Sequence, residues 1–262
     1  MDTILNDFIS DIEDVEKTFL ALKCIDELRG IDIPEGDSSL IRKTTEFHTL
    51  VDNARNGTIK IPGIFILYLG GRFEDYVKTI FEELAIRFAN SFENYEDLPT
   101  KFKNCLVADT SMVLSSPRKY GHEEIAANNF IKNLYRNIHV GDFTKINHQC
   151  LSITSGNMRS TILKGLFSKI EITDIWKTIG EQAPLKTFFE TMDSPQTIKE
   201  AKKHLDTFMD KRNRVAHPNS STSVGGTSWP SYEEVENHIK YFKILSRAML
   251  DVCKIKLATL NS

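Results

Sequence analysis

The chain has 262 residues, of which 40% are hydrophobic and 26% charged, and its formal net charge is -3. This composition is typical of a globular protein with one large domain or two small ones. The charge gives no global sign of nucleic-acid binding, so an RNA site would need a locally basic surface. The four cysteines have no paired spacing, which predicts free thiols in a reducing cytoplasm.

Two helices are predicted in the N-terminal residues 1–57. The first covers residues 1–29 and has an apolar stripe at a helical period, and the second covers residues 38–56. A break with Pro34 separates them. Three interpretations remain open for these helices: they are extra core helices, they complete a dimer, or they hold a partner protein.

A long helix is predicted over residues 62–90, where apolar residues recur at a helical period. Gly70 and Gly71 weaken this helix, so they indicate either close packing against a neighbouring backbone or a local kink. Further helices are expected at residues 100–114, 122–138, 156–167 and 173–179. Residues 150–154 alternate as a short extended segment would.

The predicted helix at residues 122–138 has an expected inward face and an expected polar surface. The inward residues are Ile125, Ala126, Phe130, Ile131 and Leu134. The polar residues expected at the surface are Asn128, Asn129, Asn133, Arg136 and Asn137.

A helix over residues 194–216 carries the most unusual pattern in the chain. Ser194 is its predicted N-cap, and Pro218 should end it near His217. Arg212 falls near the middle of the apolar stripe, where an arginine is uncommon because its charge must be paired or hydrogen-bonded. Asn213 and His217 are four residues apart and share a face beside it.

Two interpretations of this helix end compete. In the structural one, Arg212 pairs with a buried carboxylate and His217 only caps the helix. In the functional one, Arg212 binds an anionic phosphate oxygen and His217 transfers a proton. These two groups are sufficient for metal-free RNA cleavage, in which the 2′-hydroxyl attacks its own phosphate.

The remaining C-terminal part consists of a connector and a final helix. Residues 219–231 are rich in Ser, Thr and Gly, and they gate the cleft, touch RNA or serve as a simple connector. Ser231 and Glu234 have the spacing of a capping box, which starts a helix that continues to about residue 257. Strand content is minimal, so the predicted class is all-α.

Residues 212–217 match the R-x4-H motif of HEPN domains. Residues 68–77 resemble the early HEPN helix with an aromatic–Glu pair, here Phe73 and Glu74. Residues 98–99 and 156–158 resemble connectors of the RiboL-PSP-type branch.

The resemblance, which covers roughly residues 59–257, implies a HEPN-like helical bundle with extra N-terminal helices. The predicted division is therefore residues 1–57 and a HEPN-like domain at residues 58–262. HEPN family members are typically metal-independent endoribonucleases that dimerise into one composite cleft. Many serve in toxin–antitoxin or anti-phage systems, so RNA, a second copy and an antitoxin or other defence protein are the implied partners.

Matching the motif position by position implies that Arg212 and His217 are catalytic and that Asn213 supports them. Glu74 is a possible partner for Arg212. Lys211 and Arg214 are assigned to substrate binding, as part of a basic stretch at residues 199–214 that is otherwise a solvated helix face.

No cofactor and no metal site are expected, since the histidines show no metal-ligand spacing. The longest apolar run, at residues 64–69, is too short to span a membrane, and we expect a cytoplasmic protein. Two rivals to the ribonuclease stay open. One is a non-catalytic HEPN module that binds RNA, a nucleotide or a protein, and the other is a structural subunit of a defence complex.

Overall fold

A computed structural model of the chain describes residues 1–28, 32, 36, 38–217 and 229–260, and these contain helices and turns without a strand. The predicted all-α class is confirmed. The α-helices are α1 (Asp2–Glu27), α2 (Ser39–Asn53), α3 (Arg55–Thr58), α4 (Ile61–Asn90), α5 (Thr100–Ser115), α6 (Glu124–Tyr135), α7 (His148–Leu151), α8 (Ser160–Ser168), α9 (Ile175–Gly180), α10 (Ala183–Phe188), α11 (Ser194–Ala216) and α12 (Tyr232–Leu260). A π-helical turn at Arg136–Val140 directly follows α6.

The chain divides into two compact units, each built from several segments. The first unit comprises Met1–Asn6, Phe73–Asp206 and Ile244–Ser262, and the second comprises Asp7–Arg72 and Thr207–Lys243. Because of these boundaries, α1, α4, α11 and α12 each contribute residues to both units. The predicted boundary at residue 57 divides the chain once along the sequence, whereas these units combine distant segments. That boundary stays a prediction.

The core of the first unit is formed by aromatic and aliphatic side chains on α4, α5, α8 and α9. The ring of Phe81 lies 5.6 Å from that of Phe167, and the ring of Phe88 lies 5.2 Å from that of Phe102. Trp176 is fully buried, as expected of a core residue, and its indole donates a hydrogen bond to the Ser160 carbonyl at 2.9 Å.

In the second unit, α1, α4, α11 and α12 contact one another in turn. Phe19 of α1 packs against Phe65 of α4 and Tyr232 of α12, with ring centroids 4.7 and 5.0 Å away. Phe208 of α11 packs against Phe242 of α12 at 4.7 Å. The contacts between α4 and α11 complete the ring of four helices and involve glycines, as described below.

The caps of the last two long helices can be compared with the sequence. The capping box before α12 is confirmed, since Ser231 Oγ accepts from the Glu234 amide at 3.1 Å and Glu234 accepts from the Ser231 amide at 2.9 Å. The N-cap predicted for α11 is wrong by one residue. Asp193 is the cap, because its carboxylate accepts from the Gln196 amide at 3.0 Å and Ser194 is already helical.

Two other local predictions are wrong. Residues 150–154 do not form an extended segment, because Cys150 and Leu151 lie in α7. The inward face expected for residues 122–138 is wrong in part, since Ile125 and Ile131 are 73% and 54% exposed whereas Asn137, in the π-helical turn, is fully buried. The Asn137 side chain donates to the carbonyls of Asp142 and Lys145, at 2.8 and 3.0 Å, which offsets the cost of burying an amide.

Among the described residues, no helix combines the length and the apolar character that crossing a bilayer requires. The four cysteines are free thiols, as predicted.

Candidate active site

The C-terminal end of α11 carries the predicted catalytic residues. The helix ends at Ala216, and the His217 amide still donates to the Asn213 carbonyl at 3.0 Å. The His217 side chain is exposed, whereas those of Arg212 and Asn213 are half-buried. A guanidinium N–H of Arg212 lies 3.5 Å from the Asn213 amide oxygen, at the long limit of a hydrogen bond. The three polar groups therefore belong to one helix terminus in the second unit.

Gly70 of α4 provides the surface on which Arg212 rests. A methyl group at Gly70 would lie 3.2 Å from Arg212 Cγ and 3.4 Å from Phe208 Cε1. The aliphatic stem of Arg212 thus packs directly on the α4 backbone, which is how a long charged side chain can occupy an apolar stripe. The predicted close packing is confirmed for Gly70 but not for Gly71, which has no heavy atom within 4 Å of such a methyl group.

A second close contact between α4 and α11 lies two turns earlier on α4 and includes Trp229. A methyl group at Gly63 would lie 2.7 Å from the Trp229 ring and 3.1 Å from a Val215 methyl group. Trp229 lies just before the first residue of α12, so the contact attaches this part of the chain to α4. The predicted gating connector falls almost entirely on residues 218–228, which lie outside the described residues.

The two predicted substrate-binding residues differ in their surroundings. Arg214 is exposed. The Lys211 ammonium forms an ion pair with Glu234 in the first turn of α12. This hydrogen bond holds the pKa of the Glu234 carboxyl below its usual range, and the Ser231 amide acts in the same direction. Lys211 therefore joins α11 to α12.

Glu74 lies in the first unit, and its carboxylate accepts a hydrogen bond from the Met158 amide at 3.2 Å. This bond brings together two sequence features that resemble HEPN domains, the aromatic–Glu pair and residues 156–158. Phe73 is fully buried beside it. Arg212 belongs to the second unit, and the pairing of Glu74 with Arg212 stays a hypothesis.

Within the part of the chain that the structure describes, no three His, Cys, Asp or Glu side chains are grouped as ligands for a metal ion.

A protein-family model described as RiboL-PSP-HEPN matches residues 38–254, well over half of the chain. The chain belongs to the RiboL-PSP-HEPN family. The match includes the R-x4-H motif at residues 212–217 and the aromatic–Glu pair. HEPN domains are generally associated with RNase activity, so membership indicates an RNase-type or RNA-related function. No curated protein and no solved structure matched the chain.

Sequence reasoning missed two residues that support this HEPN motif. It assigned Glu234 only to the capping box, although the same carboxylate also binds Lys211. It treated Trp229 only as part of the connector at residues 219–231. The signal that was available was Gly63 near the start of α4, because a glycine inside a helix often marks a close approach by another group.

Proposed function

We propose that this HEPN protein is a metal-independent endoribonuclease whose active site contains Arg212, Asn213 and His217. The observation that carries the proposal is the convergence of these three polar residues at one helix end, with Arg212 supported by Gly70 and His217 exposed beyond Ala216. Family membership supports the same class of reaction.

The proposed reaction needs only proton transfer and charge stabilisation. The imidazole of His217 accepts the proton of the 2′-hydroxyl, whose oxygen then forms a bond to the adjacent phosphorus. The bond between phosphorus and the 5′-oxygen breaks, and that oxygen takes up the proton from the His217 imidazolium, which leaves a 2′,3′-cyclic phosphate and a 5′-hydroxyl. Arg212 stabilises the charge on the phosphate oxygens, and Asn213 orients the guanidinium or binds the phosphate.

Lys211 and Arg214 have different proposed contributions to substrate binding. Arg214 is exposed and contacts a phosphate next to the one that is cleaved. Lys211 is engaged with Glu234, so it adds positive charge near the site rather than a free ammonium group.

The proposed role is that of a cytoplasmic toxin or anti-phage effector, controlled by an antitoxin or other defence protein.

The proposed active form is a homodimer in which two motif helices form one cleft. Sedimentation of the parent and Arg212→Ala tests the assembly. We expect a dimer in both cases. If Arg212→Ala is monomeric, Arg212 is part of the interface, and the structural-subunit interpretation gains support.

The decisive experiment incubates the purified parent and His217→Ala with total RNA and tRNA in EDTA, and then identifies the product ends. We expect the parent alone to cleave, with 2′,3′-cyclic phosphate ends and a loss of at least about 100-fold in His217→Ala. Equal cleavage by both proteins would contradict the assignment of His217. Binding of RNA without cleavage by the parent would favour the non-catalytic HEPN module.

A further inference from the structure

The second unit has an open groove between α1 and α4, away from the residues assigned to RNA cleavage. Its volume is about 290 Å³, and its lining residues are Asp11, Asp14, Val15, Thr18, Ile64, Phe65 and Tyr68. Ile64 and Tyr68 are one turn apart on α4 and are 61% and 40% exposed. Neighbouring apolar side chains along a groove offer a surface on which the apolar face of another segment can pack.

The groove has a defined shape because its two walls are joined by hydrogen bonds. The Asp11 carboxylate accepts from the Tyr68 hydroxyl at 2.8 Å and from Arg72 Nε at 2.7 Å. Burial and the bond to Asp11 raise the pKa of the Tyr68 hydroxyl, which stays a neutral donor. The walls are thus preorganised, which lowers the cost of binding a partner.

The α1 wall of the groove is strongly acidic. Helix α1 contains eight acidic and two basic residues, a formal charge of -6, whereas the whole chain carries -3. Asp7, Asp11 and Asp14 follow one another at helical spacing on α1, and Asp11 and Asp14 line the groove. Arg72 offsets Asp11, but the pair of Asp14 with Lys17 is exposed and therefore weak.

From the apolar lining and the acidic wall, we propose that the groove binds a basic amphipathic segment of another protein. Its apolar side chains occupy the space beside Ile64 and Phe65, and flanking Lys or Arg side chains face Asp7 and Asp14. RNA fits this surface poorly, because its phosphates would meet a helix of formal charge -6. The groove binds this partner whether or not the chain cleaves RNA.

The α1 wall is outside the region shared with the family, since the RiboL-PSP-HEPN match begins at residue 38. The α4 wall lies inside it and also supports the motif. Gly63 precedes Ile64, and Gly70 is two residues beyond Tyr68. A partner seated in the groove therefore contacts the helix on which Arg212 rests.

The test uses a labelled amphipathic peptide of about four turns, with leucines on one face and lysines on the flanks. A matched peptide carries glutamates in place of the lysines. We expect fluorescence anisotropy to show binding of the lysine peptide to the full-length parent, and binding at least about tenfold weaker for Ile64→Ser and for Asp14→Lys.

Two control variants separate the groove from general surface effects. Leu50→Ser replaces an aliphatic residue that is as exposed as Ile64, at 61%, but lies on α2. Glu27→Lys makes the same charge change on α1, on a different face from Asp14. Both should bind the lysine peptide as the parent does.

Three results would overturn the proposal. The parent does not bind the lysine peptide, the glutamate peptide binds equally well, or the controls lose as much affinity as the groove variants. If Ile64→Ser instead breaks a dimer seen by sedimentation, the groove is a contact between copies. RNA cleavage in EDTA is measured on the same samples, so that failure of the ribonuclease and failure of the groove are distinguished.

Discussion

At the scale of single residues, the position of Arg212 depends on the lack of a side chain at Gly70 of α4. Gly70 lets the arginine stem lie against the α4 backbone, and the neighbouring Gly71 is exposed with open space around it. Two adjacent glycines in one helix therefore have different roles. One permits a close approach, and the other only lowers helix stability.

Alanine substitutions at the two glycines should have different effects. Gly71→Ala should raise the free energy of unfolding by about 0.5–1 kcal/mol, because alanine favours the helix. Gly70→Ala should gain less, because its methyl group would lie 3.2 Å from Arg212 Cγ, and it should reduce RNA cleavage. Urea denaturation and the EDTA cleavage assay measure both quantities. Equal stabilisation with unchanged cleavage would mean that Arg212 does not depend on this contact.

Sequence reasoning singled out Arg212 because an arginine on an apolar stripe is anomalous by itself. It failed for Asn137, whose burial depends on hydrogen bonds to backbone carbonyls elsewhere in the chain. Asn137 lies on the buried side of its segment, with Phe130 seven residues earlier, because carbonyls of residues 142 and 145 accept its amide protons. Those partners belong to an irregular segment whose path cannot be predicted from hydrophobic periodicity, and Ile131 was placed inside instead.

At the scale of elements, the end of α11 is held to the start of α12 by one carboxylate with two roles. Glu234 caps the first turn of α12 through the Ser231 amide and pairs with Lys211. The last turns before His217 are thereby attached to a second helix. We regard Glu234 as a positioning residue for the motif.

The stabilisation provided by Glu234 should depend on pH. Because the folded-state pKa is lowered, the contribution is complete above the unfolded value of about 4.3 and is lost as the pH falls through the folded pKa. Glu234→Gln keeps an acceptor for the Ser231 amide and removes only the charge. It should cost roughly 0.5–1 kcal/mol at neutral pH and little near pH ~3, as measured by urea denaturation.

Glu233→Gln is the matched control, since Glu233 lies in the same first turn of α12 and shares the favourable effect of the helix N-terminus. If both variants lose the same stability at every pH, the effect belongs to the helix terminus and not to the pair with Lys211.

Long helices were predictable and short ones were not. In α4 and α12 the apolar period persists over many turns, and residues on it, such as Phe73 and Leu84 of α4 and Phe242 and Leu245 of α12, are buried. In α7 only one turn exists, so alternation over five residues could not distinguish a helix from a strand. The N-cap of α11 was misplaced because Asp193 and Ser194 are both good caps, and only the hydrogen bond to Gln196 decides between them.

At the scale of the whole molecule, four helices contribute residues to both units, so the chain passes between the units within helices. The chain has two tryptophans, and each unit contains one of them, Trp176 in the first and Trp229 in the second. Continuous helices propagate order along their length, which favours cooperative unfolding.

The two tryptophans should report the same unfolding transition. Trp229→Phe leaves Trp176 as the reporter of the first unit, and Trp176→Phe leaves Trp229 as the reporter of the second. For each variant, urea curves by fluorescence and by circular dichroism should coincide, because no stable intermediate is expected. A fluorescence midpoint that departs from the circular dichroism midpoint in either variant would show that the units unfold separately.

Family and fold class could be predicted from the sequence alone, since the HEPN motif and the helical period are both local patterns. The contacts that support the motif could not, because Gly63 and the segment with Trp229 and Glu234 come from two parts of the chain that are separate from α11. Only packing brings them to the end of α11.

The contacts around Trp229 and Glu234 also bear on chain continuity. Three non-covalent contacts hold the parts of the chain before residue 218 and after residue 228 together. They are the ion pair of Lys211 with Glu234, the contact of Trp229 with Gly63 and the packing of Phe208 on Phe242. Two co-expressed fragments, one ending at residue 217 and the other starting at residue 229, should therefore reassemble. The R-x4-H motif would then lie on one fragment, and Trp229 and Glu234, which support it, on the other. The protein would therefore be suitable for fragment complementation.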